Sequence, residues 1–77
     1  MKKLYYYLDK NIRFEDISGN IIEAFVQDYD DGTEEDEDDF LYLNPYLWLE
    51  NVKVIKNVNY NGDKIISQKE IKTIEII

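Results

Sequence analysis

Apolar and polar residues exchange places along this chain with two different periods, and the change of period marks the elements. In KKLYYYLDK, Leu4 and Leu8 stand four apart with Tyr5 beside them, which predicts a turn or two of helix ending near residues 9–11. From Asn11 the period drops to two. NIRFED sets Ile12, Phe14 and Asp16 against Arg13 and Glu15, the alternation of a strand. Ser18, Gly19 and Asn20 supply turn chemistry, because Gly and Asn tolerate positive φ, and IIEAFVQDY follows at once. The two strands therefore form a hairpin.

In the second strand Ile22, Ala24 and Val26 share one face, while Ile21, Phe25 and Tyr29 lie on the other with Glu23 and Gln27. Apolar residues on both faces predict a strand that bends and serves two cores, as strands of small barrels do. FLYLNPY resumes the alternation, with Phe40, Tyr42 and Asn44 opposite Leu41 and Leu43, until Pro45 interrupts it by lacking an amide donor. LWLENVKVIKNVNY is aromatic and β-branched, with Trp48, Val52 and Val54 on one parity. It ends in Asn61-Gly62, a strong hairpin signal, with KIISQ as the returning partner. The segment SQKE at 67–70 predicts a one-turn break before IKTIEII, whose Ile71, Ile74, Ile76 and Ile77 are expected to close the sheet.

Charge adds one feature that periodicity does not. The stretch DYDDGTEEDEDDF holds nine acids, Asp28, Asp30, Asp31, Glu34, Glu35, Asp36, Glu37, Asp38 and Asp39, and no base. Elsewhere eight acids face nine bases, so the net charge of −8 is concentrated in one segment of a near-neutral domain. Mutual repulsion makes that run a poor strand or helix interior and predicts a solvated acidic loop over about 28–39. It also disfavours direct nucleic-acid binding, since the bases are scattered and only Lys53 with Lys56 forms a thin local patch.

Composition then removes whole classes of chemistry. Seventy-seven residues make a single domain near the lower limit for an unaided hydrophobic core, a size at which self-association helps. Without cysteine or histidine there are no usual zinc sites, thiol nucleophiles, disulfides or Ser-His-Asp machinery. A calcium loop fares no better: aligning Gly32 to the glycine of an EF-hand places Gln27 and Tyr29 where oxygen ligands belong. Exposed, mutually repelling carboxylates lack the rigid cleft that acid-base catalysis needs. The expectation is a non-enzymatic protein with no metal and no cofactor. No segment approaches the roughly 20 apolar residues of a membrane span, nor does the N-terminus contain an apolar stretch of signal-peptide length, so a cytoplasmic protein without membrane contact is expected.

The order of these signals resembles a known family. The N-terminal turn, the pair NIRFEDISGNIIEAFVQDY, and the late SQKEIKTIEII are similar to the small Sm-like or SH3-like β-barrel domains of low-GC Gram-positive bacteria and their prophages. The likeness covers roughly residues 2–29 and 64–77, and NPYLWLEN departs from it. It implies a mainly β fold, a five-stranded barrel with a short N-terminal helix and an acidic loop, and ring-like or edge-to-edge assembly. RNA-binding members carry an Arg-Gly pair near the last two strands and an Asp-x-x-x-Asn pattern in the loop that here is acidic. Residues 66–69 read ISQK and the acidic run has no matching Asn, so the uridine pocket does not carry over.

Two surfaces remain as candidate sites. Seven tyrosines and one tryptophan exceed what so small a core must bury, and these residue types anchor interfaces. Tyr29, Tyr42, Tyr46 and Trp48 are the aromatic candidates, with Tyr46 and Trp48 beside Pro45 the best exposed pair. The nine acids form the other. The leading expectation is a protein-interaction or assembly module, binding a protein partner or itself as a homo-oligomer through strand edges, chiefly that of Ile74, Ile76 and Ile77, and through exposed aromatics. The alternative is a phage-type anti-defence inhibitor whose acidic run imitates nucleic acid. A third is an oligomer that holds a nucleotide signal between protomers.

Overall fold

The computed structural model describes residues 2–32 and 44–77. Within them the fold is mainly β, with strands β1 Asn11–Asp16, β2 Ile21–Asp30, β3 Tyr46–Lys56, β4 Ile65–Ser67 and β5 Ile71–Ile76. All pairings are antiparallel in one sheet of order β4-β3-β2-β1-β5. The expected strand at 40–44 falls largely outside the described residues. Asn44 and Pro45 lie just ahead of β3, where the missing proline donor disturbs no ladder.

The N-terminal turn differs from the α-helical expectation. Leu4–Tyr7 is a 3-10 turn, and it buries Leu4 and Tyr7 while Leu8 stays 37% exposed. Three residues per turn align i with i+3, so Tyr7 takes the inward place that four-residue spacing assigns to Leu8. The hairpin of β1 and β2 is as expected. Ile12 pairs with Ala24 and Phe14 with Ile22, and together with Val26 all five are buried on the inner face. On the outer face Arg13 bonds Glu23 at 2.5 Å and approaches Glu75 at 3.7 Å.

Bulges overturn two face assignments. In β2, Val26 pairs with Leu49 but Asp28, not Gln27, pairs with Trp48, so one extra residue resets the alternation. Tyr29 consequently turns inward, opposite the buried Leu47, instead of sharing a face with Phe25. In β3, Glu50 pairs with Phe25 and Lys53 with Glu23, leaving both Asn51 and Val52 across from Ala24. Asn51 takes a positive φ of 55°, a conformation that a short amide side chain tolerates. Val52 is thereby packed against the core while Trp48 faces outward, and the shared parity of Trp48, Val52 and Val54 is lost.

The Asn61-Gly62 signal also plays a different part. Rather than joining adjacent strand ends, it lies in a connection over residues 57–64, and β4 returns to pair with Tyr46, Leu47 and Trp48 at the start of β3. Asn20 organises this connection. Only 2% exposed, its Nδ2 donates to Asp16 Oδ2 and Asn59 Oδ1, both at 2.8 Å, while its Oδ1 accepts from the Val58 and Asn59 amides at 2.6 and 3.0 Å. One buried amide ties the β1–β2 turn to the far connection with every polar atom paired.

The 3-10 turn Gln68–Glu70 is the expected one-turn break, and β5 follows it to pair with β1. Ile71 is buried and Ile74 partly so, whereas Ile76 and Ile77 are exposed. The last strand extends the sheet without closing it: β4 and β5 are its two ends, and no ladder joins them among the described residues.

Candidate interaction surface

The sheet's outer face near β4 carries the chain's single tryptophan beside an exposed isoleucine. Trp48 on β3 is 41% exposed and pairs directly with Ile65 on β4, itself 42% exposed. Tyr46, two residues before Trp48 and half-buried, leans toward it with ring centroids 6.2 Å apart at 54°. The structure thus brings together two of the four aromatic candidates and adds Ile65. Sequence reasoning missed Ile65 because its neighbour across the ladder depends on where β4 returns; once Trp48 is known to be opposite, period-two alternation places it on this face.

Tyr29 belongs elsewhere. Its ring meets Tyr5 edge-on at 6.1 Å beside a cleft of about 370 Å³ that Lys2, Lys3 and Asp31 also line. Burial, reinforced by Asp31, Tyr5 and Asp30, holds the Tyr29 phenol above the usual tyrosine range. Tyr42 lies outside the described residues.

The acidic candidates divide in the same way. Glu34, Glu35, Asp36, Glu37, Asp38 and Asp39 lie outside the described residues. Asp28 and Asp30 take local roles: Asp28 Oδ1 accepts the Tyr29 amide at 2.7 Å, and Asp30 accepts the Gly32 amide at 2.8 Å and the Tyr46 hydroxyl at 3.0 Å. The bond from Tyr46 to Asp30 raises the phenol's pKa, with desolvation and the Asp30 charge adding to it. Gly32 completes this neck between β2 and β3. Its φ of 71° suits glycine, and a Cβ there would collide with the Asn44 backbone.

Register places these acids relative to the aromatic patch. Asp28 pairs with Trp48 and Asp30 with Tyr46, and Glu50 follows Trp48 two residues along the same face. Neither Asp28 nor Glu50 forms an ion pair among the described residues, where the salt bridges join Arg13 to Glu23 and Glu75, and Lys72 to Glu15. No group of three or more ligating side chains among the described residues could hold a metal ion, and no described helix is long and apolar enough to cross a membrane. Aromatic side chains of this kind, apolar in the ring and polar at one end, are enriched at binding surfaces. Comparison of the chain with protein-family models, with curated proteins and with solved structures finds no match to any of them.

Proposed function

We propose that this protein is a non-enzymatic interaction and assembly module of the small Sm-like or SH3-like barrel type. The observation that carries the reading is the patch of exposed Trp48 and Ile65 with half-buried Tyr46, which includes part of β4, a strand whose outer edge has no partner among the described residues. Large apolar side chains beside an unpaired strand edge are the two ingredients from which strand-mediated association is made. At the opposite end of the sheet, β5 adds a second open edge with exposed Ile76 and Ile77. The barrel reading draws support from the strand order β4-β3-β2-β1-β5 and from the single 3-10 turn that links β4 to β5.

Light-scattering chromatography at low and high salt tests the assembly, on the wild type, on Ile65→Lys and Ile76→Lys, and on a chain with the six acids of 34–39 changed to Asn or Gln. An oligomer that survives neutralisation of the acids and dissociates in either lysine variant is the expected result. A monomer throughout, which retains no protein partner, would remove the basis for the reading and turn attention to the acidic run as an imitation of nucleic acid, tested by inhibition of nucleases.

A further inference from the structure

We infer that the Trp48 patch receives a cationic side chain, arginine above all, presented by an extended segment of a partner protein in which basic and aliphatic residues alternate. This inference rests on the interaction reading above and specifies its partner.

Trp48 supplies the face. It is 41% exposed on the outer side of the sheet, and the cation–π contact found among the described residues is elsewhere, with Lys2 4.8 Å above the Tyr6 ring. The charged residues that the β2–β3 ladder sets beside Trp48 are acids, whereas a lysine, Lys64, lies on the β4 side, its carbonyl accepting the Leu49 amide at 2.7 Å. Asp28 stands directly across the ladder, Asp30 across from Tyr46, and Glu50 one same-face step along β3. Strand geometry puts the Cα atoms of Asp28 and Glu50 within about 5 to 7 Å of that of Trp48. An indole ring bordered by carboxylates attracts a guanidinium in two ways at once, through the ring quadrupole and through the charges.

The same surroundings exclude the opposite partner, because an anion over Trp48 would meet three acids. They also disfavour a purely apolar partner, which would desolvate Asp28 and Glu50 without pairing them. Ile65, paired with Trp48 and 42% exposed, provides the apolar contact for the aliphatic residue next to the cation. Neutralisation therefore comes from the partner. Each carboxylate at such a distance contributes about two- to threefold in affinity at moderate salt.

Trp48 is the chain's single tryptophan, so its emission reports directly on the site. The probes are three dye-labelled peptides: alternating arginine and leucine, the same with citrulline for arginine, and the same with glutamate. Titration into the full chain is followed by peptide polarisation and Trp48 emission. The arginine peptide is expected to change the emission saturably and to bind about tenfold more tightly than the citrulline peptide, with no binding of the glutamate peptide. Asp28→Asn with Glu50→Gln should weaken binding about fivefold, while the chain neutralised at 34–39 keeps its affinity within about twofold. Equal binding of the citrulline peptide would overturn the cationic partner and leave an apolar interaction surface standing. Loss of binding in the 34–39 variant but not in the Asp28, Glu50 variant would overturn the site in favour of diffuse attraction to the acidic run. No response to any peptide overturns the proposal, and the interaction reading falls with it if light scattering also finds a partnerless monomer.

Discussion

The knot around Asn20 and the patch around Trp48 are both made by cross-strand neighbours, yet one satisfies itself and the other faces outward. Asn20 is 2% exposed, and its amide makes four bonds to Asp16, Val58 and Asn59. A polar group removed from water has to find its partners inside the chain, or its desolvation is uncompensated. Trp48 carries no such obligation. The residue is 41% exposed and loses little by waiting for a partner. The contrast separates residues that hold the fold from residues available for work.

Asn20→Ala tests the closed side and should have the largest effect. It strands the Val58 and Asn59 amides, and a loss of about 2–4 kcal/mol in urea denaturation is expected. A loss below about 1 kcal/mol would mean that water replaces the amide and that the knot is not sealed. Gly32→Ala comes next. A left-handed φ and a collision with Asn44 predict a loss of about 1–3 kcal/mol, measured in the same way.

Trp48→Ala sharpens the open side, since stability should change by less than about 1 kcal/mol while binding of the arginine peptide is lost. A large destabilisation would instead assign the ring to the fold. The tyrosines offer a finer test through pH. Tyr29, Tyr46 and Tyr60 have phenols raised above the ordinary value of about 10, Tyr46 chiefly by its bond to Asp30, and Tyr60 by burial and then by Asp63 and Asp16. A folded pKa above the unfolded one means that this stabilisation is complete below the unfolded value and disappears as pH rises through the folded value. Absorbance titration should show late-ionising phenols, and Asp30→Asn should bring Tyr46 forward. Arg13→Ala, on an exposed ion pair, should have the smallest effect, one that high salt erases in a melting experiment.

Much of the fold was legible in local chemistry. Strand β1 and the buried row Ile22, Ala24 and Val26 follow from period-two alternation, and the break at 67–70 from four polar residues between two apolar runs. Two of the misplaced faces share a cause. A bulge inserts one residue without altering composition, so Tyr29 and Val52 changed faces although their neighbours in sequence read as continuous strand. Asn51 was a usable sign, an amide inside an apolar run. Asn61-Gly62 marked a real reversal, and KIISQ does return to β3, but turn propensity does not say which residues of that strand are rejoined: β4 meets Tyr46, Leu47 and Trp48 at its start. Of the interaction surface, Tyr46 and Trp48 were readable as an aromatic pair beside Pro45, whereas the contribution of Ile65 was not.

What the sequence determined by itself is therefore local: where strands begin, which residues of β1 and early β2 point inward, and where the negative charge is concentrated. Those properties depend on neighbours one to four residues apart, and the side chains there declare them. Tertiary structure decided register. It placed Ile65 opposite Trp48, set Asp28 beside that ring, turned Tyr29 toward the core and enclosed Asn20 with Asn59. Each of these pairings joins residues distant along the chain, and a residue's own chemistry cannot specify a neighbour that only the closing of the sheet ladders supplies.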